Sequence, residues 1–393
     1  MRLLTLTALL VSSSLIPAAH AEDHHHSHWR LFVADSAVPT VSVIELETGE
    51  TLETFDVTAP ATLYASQSGQ GIFAVQSNAN RVDAFFSGIE RDDHGHSDLK
   101  ISAPAPLDLA IEGEKPTHFV EHAGHLAVYF DGSGKASILS ERNWLSGKAE
   151  ISSFDSGTPH HGVAVPSNGD AIVTRPADED GRLPSGFLLF DADGALTATI
   201  DQCADVHGEA TSGRLIAFGC SDGVLIARGG GSEVTFLSSA GLQEGRVGSL
   251  LGGKTMEFFL ANYGARAIAL IEPDAENPIR VIDLPGHRIH FTLNGSNSRL
   301  AYLLLADGSV HEFDVVTAQL KRSVQVTEPY ATDGGHGAPM PRLAQAGDVL
   351  LVSDPAAGKV HKLGLDTFEL TGAIELGGTP SSLVAVGGVL ADH

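Results

Sequence analysis

The chain has 393 residues and carries 49 acidic against 24 basic side chains, which gives a formal net charge of −25 at pH 7. This charge repels nucleic acid and anionic membranes, and it favours cations and basic partners. The length suffices for one large domain or two ordinary ones. Glycine is abundant at 43 residues, aromatic residues make up only 6%, and few segments have a helical pattern. A strand-rich protein that binds neither nucleic acid nor a membrane is therefore expected.

The first 21 residues have the pattern of a secretory signal peptide. One arginine precedes a short apolar run, and the small-residue pattern Ala19-His20-Ala21 predicts cleavage after Ala21. The apolar run is too short to span a bilayer. We therefore expect an exported protein without membrane insertion, located in the periplasm if the source is a Gram-negative bacterium.

A histidine-rich run, "EDHHHSHW", follows the predicted cleavage site directly. It resembles an expression tag, but its position after the signal peptide and its interruption by Ser27 favour a native segment. We interpret residues 22–28 as a flexible arm that precedes the first predicted strand. Its histidines are candidate ligands for capturing and passing on a metal ion: His24, His25, His26 and His28.

Short apolar runs of strand type recur along the remaining chain and are separated by glycine, aspartate, asparagine and proline. The pattern repeats about every 40 to 55 residues, which is typical of a β-propeller. We predict an all-β fold with a single propeller over residues 29–393. Eight blades fit best and seven is the alternative. The N-terminal segment supplies three strands and the C-terminal segment one, so the two ends should pair in one blade and close the ring.

The two cysteines, Cys203 and Cys220, flank a turn signal at Thr211-Ser212-Gly213. A hairpin about that turn would place the cysteines opposite each other. In an oxidising compartment this arrangement favours a disulfide bond, and a pair of thiolate metal ligands is the alternative.

Histidine recurs at the start of the innermost strand in four of the eight predicted blades. These N-terminal ends meet at one mouth of the central channel, so the side chains should converge there. Neutral imidazole is a good ligand for zinc, copper and nickel, and three or four imidazoles satisfy tetrahedral zinc. Isolated strand histidines with only a structural role are the alternative. The predicted ligands are His118, His161, His207 and His290, with Asp205, Glu209, His287 and His336 as substitutes near the same rim.

A second histidine-rich motif, "RDDHGHSD", lies in an insertion between two strands of one blade. Its His94 and His96, flanked by carboxylates, suit weak and exchangeable metal capture. A solvated acidic loop is the alternative interpretation.

Sequence motifs of catalysis are few. The chain contains no G-x-S-x-G, H-E-x-x-H or Walker motif, and no G-x-G-x-x-G that opens a helix. A metal-dependent propeller enzyme, either lactonase-like or like a copper-containing reductase, remains an alternative. A plain protein-interaction propeller is another.

The combination of "EDHHHSH", "DDHGHSD" and repeated inner-strand histidines on a secreted propeller resembles the periplasmic zinc metallochaperones of the AztD type. The resemblance covers the whole mature chain. It implies a protein that binds Zn²⁺ in the propeller, and we expect this protein to be a monomer and not an enzyme. Such a protein would deliver zinc to the solute-binding protein of a zinc ABC transporter, with histidine-rich flexible segments assisting the transfer.

Overall fold

The computed structural model describes residues 27–93, 97–167, 169–179, 182–332 and 338–389. The predicted signal peptide, His24 to His26, the loop histidines His94 and His96, and His336 lie outside these residues. Within the described ranges, no helix is both long and apolar enough to cross a membrane.

The fold is an eight-bladed β-propeller, as predicted, and each blade is an antiparallel sheet built around four strands. The first blade combines both ends of the chain: β1 (Ser27–Asp35), β2 (Thr40–Glu45), β3 (Thr51–Asp56) and the last strand, β35 (Pro380–Val389). The second blade contains β4 (Thr62–Ala65), β5 (Gly71–Gln76), β6 (Arg81–Phe86) and two short outer strands, β9 (Ala105–Pro106) and β10 (Ile111–Glu112). A separate hairpin, β7 (Ile89–Asp93) and β8 (Ser97–Ile101), is inserted before those outer strands.

The third to fifth blades follow in chain order, each from its inner to its outer strand. Blade three consists of β11 (Pro116–His122), β12 (His125–Phe130), β13 (Lys135–Ser140) and β14 (Ser152–Asp155), with helix α1 (Glu141–Leu145) before β14. Blade four consists of β15 (Ala164–Ser167), β16 (Asp170–Thr174), β17 (Phe187–Phe190) and β18 (Leu196–Ile200). Blade five consists of β19 (Glu209–Ser212), β20 (Leu215–Cys220), β21 (Gly223–Arg228) and β22 (Glu233–Ser238).

The last three blades repeat the same plan. Blade six consists of β23 (Leu250–Leu251), β24 (Phe259–Asn262), β25 (Ala267–Ile271) and β26 (Ile279–Asp283). Blade seven consists of β27 (Arg288–Leu293), β28 (Leu300–Leu305), β29 (Ser309–Asp314) and β30 (Gln319–Gln325). Blade eight consists of β31 (Leu343–Ala346), β32 (Val349–Asp354), β33 (Lys359–Gly364) and β34 (Glu369–Glu375). Two short 3₁₀ turns, Ser77–Ala79 and Gly229–Gly231, complete the described elements.

The ring is closed by the pairing of β1 with β35, which joins the two ends of the chain in one sheet as predicted. The pairing runs from Ser27 opposite Val389 to Asp35 opposite Pro380. Closure gives the first blade its innermost strand, so that its inner edge, like those of the other blades, faces the protected channel and not solvent.

The hydrophobic core lies between neighbouring blades rather than inside any one of them. Middle strands are covered by a blade on each face, so strands such as β5 and β20 are buried at every position. This double burial explains why the sequence shows continuous apolar runs there instead of alternation. The outermost strands face solvent, and β3 is largely exposed.

The predicted disulfide joins Cys203 to Cys220, whose Cα atoms lie 5.0 Å apart. Strands β19 and β20 form the expected hairpin, and Cys203 stands just before the turn that leads into β19. The bond therefore pins the loop that carries His207 to the middle of blade five.

Candidate metal centre

Three of the four predicted histidines come from the consecutive blades three, four and five and meet at one mouth of the channel. His118 is the third residue of β11, whereas His161 and His207 lie in the turns just before β15 and β19. A β-bulge between Pro116 and His118 leaves Thr117 unpaired. Bulges of this kind re-aim a side chain, and here the bulge coincides with the residue that faces the channel.

His118 and His161 are spaced as two ligands of one metal ion. Their Nε2 atoms lie 3.4 Å apart, and their ring centroids are separated by 5.0 Å. Two imidazole nitrogens bound to tetrahedral zinc at about 2.0–2.1 Å would be about 3.3 Å apart. A zinc ion placed between the two facing nitrogens would therefore lie within bonding distance of both.

Two of the three rings are held by a hydrogen bond through the other nitrogen, Nδ1, and the Nδ1 of the third faces a carboxylate. In His161, Nδ1 donates to Oδ2 of Asp131 at 2.8 Å, and in His207, Nδ1 donates to the carbonyl of Gly248 at 2.7 Å. Nδ1 of His118 faces Oε2 of Glu209 at 3.4 Å. Metal-binding histidines are oriented in this way by carboxylates and carbonyls, which leaves Nε2 free for the metal.

The carboxylates around the rings make the site favourable for a positive charge. Burial alone would lower the pKa of His118, but the negative charges of Glu209 and Asp131 raise it above its ordinary value. Burial would likewise raise the pKa of Asp131, but the adjacent His161 keeps it below the usual range. Oε2 of Glu209 is buried and makes no hydrogen bond within the described residues. An environment that favours a proton at this place also favours a metal cation.

His207 is the third histidine at this mouth, and it lies slightly farther from His161 than His118 does. Its ring centroid lies 5.5 Å from that of His161, and a small cavity is enclosed between them, lined also by Val206 and Pro184. Burial lowers the pKa of His207, so its imidazole is neutral and ready to bind a metal. The nitrogen atoms of the three rings do not all fall within 4.8 Å of one another. Binding of one ion by all three rings therefore requires His207 to move closer to the His118–His161 pair.

His290, the fourth predicted ligand, lies beside a different group of side chains. Its Nδ1 accepts a hydrogen bond from the backbone N–H of Leu343 in blade eight at 3.2 Å. Burial, followed by the charges of Arg342 and Arg288, lowers the pKa of His290 to about 3. His290 thus lies beside two arginines whose charge would repel a metal ion, and its assignment to the central set remains a prediction that these contacts do not favour. Glu209, one of the proposed substitutes, is the acidic residue that accompanies the three histidines.

A second cluster of metal-binding side chains lies in the first blade. It consists of His28, Glu45 and Glu47, whose ligand atoms all lie within 4.8 Å of one another, and it is the only such trio in the described part of the chain. Nε2 of His28 lies 3.0 Å from Oε2 of Glu45, which is also 3.6 Å from Nε of Arg30. Burial and the neighbouring Glu47 raise the pKa of Glu45 to about 7.

The position of His28 corrects the predicted boundary of the arm. Ser27 and His28 belong to β1, where His28 lies opposite Gly388 of β35. His28 is thus part of the propeller and not of a flexible segment. The segment that could serve as an arm ends at residue 26.

The two clusters lie on opposite faces of the propeller. The inner strands begin at the mouth that holds His118, and β35, the inner strand of the first blade, begins there with Pro380. His28 pairs with the other end of β35. Eight residues of extended strand separate the two ends, a distance of about 26 Å at 3.3 Å per residue.

Three acidic residues of these sites were not predicted: Asp131, Glu45 and Glu47. Asp131 follows the last residue of β12, and Phe130 pairs with Pro116 at the start of β11. The register of this hairpin would have indicated that a residue after "VYF" returns to the mouth beside His118. The register of β1 and β2 would likewise have indicated Glu45, which ends β2 opposite Arg30, two residues after His28.

Comparisons with known proteins identify close relatives of the whole chain. The zinc chaperone AztD of Citrobacter koseri is 39% identical over 389 residues, which is 98% of this chain and 92% of that protein. A crystal structure of Citrobacter koseri AztD matches with a TM-score of 0.89 and 38% identity, covering 94% of this chain and 100% of the other. A structure of apo AztD from the same organism matches with a TM-score of 0.87 and 37% identity, over 93% and 100% of the two chains. No protein-family model matches the sequence.

Proposed function

Because the chain belongs to the family of the zinc chaperone AztD, we propose that it is a zinc metallochaperone of the periplasm. The acceptor would be the solute-binding protein of a zinc ABC transporter. The observation that best supports zinc binding is the His118–His161 pair, whose facing Nε2 atoms have the spacing of two zinc ligands. Export to the periplasm rests on the signal-peptide pattern of residues 1–21.

In this proposal the central site holds the tightly bound ion. His118, His161 and His207 supply one nitrogen each, and Glu209 or a water molecule completes the tetrahedron. Asp131 and the carbonyl of Gly248 position two of the rings, as described above. Zinc here is the cargo of the protein and takes part in no chemical step.

The second cluster and the histidine-rich segments would supply weaker, exchangeable ligands. Glu47 is exposed, and Arg30 beside Glu45 opposes a bound cation, so His28, Glu45 and Glu47 should bind zinc less tightly than three imidazoles do. His24, His25 and His26 immediately precede this cluster in the chain, and we assign to them, with His94 and His96, the capture and passing on of the ion. The surplus of acidic side chains would concentrate Zn²⁺ around the protein.

Transfer from such a protein requires either an acceptor that binds zinc at least as tightly or direct contact between the two sites. The central histidines stand at a channel mouth, where an acceptor could reach them. We therefore propose a binding and transfer function without catalysis, carried out by a monomer. A metal-dependent enzyme and a metal-free interaction propeller are the alternatives that the following experiment addresses.

The experiment is to purify the mature protein without a tag, expose it to equal concentrations of zinc, copper and nickel, and measure bound metals by mass spectrometry. Stoichiometric zinc that moves to a high-affinity chelator protein on mixing supports the proposal. Copper as the dominant metal would favour a reductase-like propeller. A protein that retains no metal would rule out both metal-dependent functions.

A further inference from the structure

Two arginines stand at the starts of the inner strands of blades seven and eight, on the same mouth of the channel as the histidines of blades three to five. Arg288 is the first residue of β27, and Arg342 directly precedes β31. The hydrogen bond from the Leu343 N–H to His290 ties the two strand starts together, so the two arginines flank one stretch of the channel wall. The rim therefore has a histidine side and an arginine side.

Neither arginine is neutralised by a carboxylate within the described residues. Arg299 and Arg322 of the same blade, by contrast, form ion pairs with Asp314 and Glu312. The guanidinium of Arg288 lies over the ring of Phe291 at 5.2 Å, and its buried Nε has no hydrogen-bond partner in that part of the chain. The side chain of Arg342 makes one long hydrogen bond, from Nη1 to the carbonyl of Pro341 at 3.4 Å.

Two further hydrogen-bond donors stand beside this pair. His290 accepts a hydrogen bond at Nδ1, so the proton of its neutral ring is on Nε2, and that N–H is available as a donor. Tyr64 of β4 stacks on Phe119 at 5.3 Å and lies within electrostatic range of Glu209 and Arg342. Burial, followed by the charge of Glu209, raises the pKa of Tyr64 to about 12, so its hydroxyl is a donor. A neighbouring pair of like charges that has no carboxylate partner within the described residues and is flanked by two further donors favours an anion.

We propose that Arg288 and Arg342, with His290 and Tyr64, form an anion subsite that takes one carboxylate group. Guanidinium groups recognise a carboxylate through paired, charge-assisted hydrogen bonds, and the two remaining donors suit its outer lone pairs. The carboxylate could belong to a small free acid or to an acidic side chain that an acceptor protein inserts into the channel. Both sources have the same recognition chemistry.

The subsite stands independently of the zinc proposal, although the two would support each other. A cation among the histidines and an anion among the arginines would share one channel mouth, and their attraction would be only partly screened by water there. Zinc should therefore strengthen carboxylate binding, and the carboxylate should strengthen zinc binding by the same factor.

The test is equilibrium dialysis of the zinc-free mature protein against radiolabelled acetate, and separately against a labelled hexaglutamate peptide, at fixed ionic strength. The variants are Arg288→Gln and Arg342→Gln. Arg214→Gln, which removes an exposed arginine far from this mouth, is the matched control for the general effect of charge. Circular dichroism melting curves verify that each variant is folded.

We expect one acetate or peptide molecule per protein, bound about tenfold or more weakly by each test variant and normally by the control. Binding of acetate would identify a free acid as sufficient, whereas binding of the peptide alone would point to an inserted side chain. The proposal is overturned if neither probe binds, or if the test variants and the control bind equally. Because zinc is absent, these results do not depend on whether the protein is a zinc chaperone.

Discussion

The propeller presents two clusters of metal-binding side chains that differ in construction. At one mouth, His118 and His161 face each other at zinc spacing, and their second nitrogens face carboxylates. On the opposite face, His28 shares its surroundings with two glutamates and with Arg30. The first cluster is uniform in ligand type, and Lys115 approaches it only from behind, 3.9 Å from Oδ2 of the carboxylate that orients His161. The second is carboxylate-rich and partly neutralised before any ion arrives.

This difference supports the proposed division between a cluster that holds an ion and one that exchanges it. Imidazole nitrogens oriented by hydrogen bonds suit tight zinc binding. A site with an adjacent arginine binds a cation less tightly and releases it more readily. The following predictions test that division, beginning with the largest expected effect.

Replacement of a central ligand should abolish tight zinc binding. In His118→Ala or His161→Ala, one of two facing nitrogens is lost, and affinity should fall by at least about a hundredfold, since a zinc–nitrogen bond cannot be replaced by water without loss. Competition with a chromophoric chelator measures this. The control is His125→Ala at the turn between β11 and β12, which should retain full affinity. Equal affinities in all three variants would show that the tight ion is elsewhere.

Removal of the negative charge behind His161 should weaken central binding by about ten- to a hundredfold, the usual effect of losing a carboxylate that orients a zinc-binding histidine. The variant is Asp131→Asn, and Asp170→Asn at an exposed position of the neighbouring blade is the control. Chelator competition again gives the affinity. A normal affinity for Asp131→Asn would mean that the ring is positioned by packing alone.

Loss of the disulfide should reduce both stability and central affinity. The double variant Cys203→Ser/Cys220→Ser frees the loop that carries His207, and the free energy of unfolding should fall by about 2–4 kcal/mol. Urea denaturation measures the stability, and zinc titration should show a weakening of several-fold. The second cluster, which lies in the first blade, should be unaffected. If zinc binding at the second cluster changed and central binding did not, the proposed link between the disulfide bond and His207 would be contradicted.

Substitution in the second cluster should remove one weakly bound zinc ion and leave the tight one in place. Glu45→Gln takes away a buried carboxylate that is only 8% exposed, whereas Glu50→Gln alters a nearby exposed residue and serves as the control. Metal titration should resolve two ions in wild type and control, but one in Glu45→Gln. If Glu45→Gln loses the tight ion, the assignment of the two clusters is reversed.

Deletion of residues 22–26 should have the smallest effect at equilibrium. It removes three candidate capture ligands but retains His28 in β1, so one tight zinc ion should remain bound. Stopped-flow measurement should show slower transfer to an acceptor. A second variant keeps all five residues but replaces His24, His25 and His26 by serine, which separates the loss of ligands from the change in chain length. An unchanged rate in both variants would exclude a role for the arm.

Most of the fold could be predicted because it depends on patterns that are local in sequence. Strand runs, turns and the period of the repeat indicated eight blades, ring closure and the hairpin that brings Cys203 to Cys220. Three central histidines followed from their equal position in consecutive blades. The predictions for His24 to His26, His94 and His96 concern residues outside the described ranges, and they remain predictions.

The remaining site features depend on neighbours that are distant in sequence. His290 has the same position in its blade as His118, but the arginines beside it come from two blades and make its surroundings cationic. Asp131 follows the second strand of its blade, β12. An alignment of only the innermost strands of the blades does not include this residue. His28 lies within a polar, histidine-rich run, and its pairing with β35 at the far end of the chain is not visible in that run.

The most direct test of the account is zinc X-ray absorption spectroscopy on the mature protein loaded with one equivalent of zinc. The account predicts a four-coordinate ion with three imidazole ligands, one oxygen ligand and no sulfur. It also predicts that His161→Ala loaded in the same way loses this signature. A spectrum with a single imidazole and mainly oxygen ligands would contradict the account, because it would place the first ion at His28, Glu45 and Glu47 instead of the channel mouth.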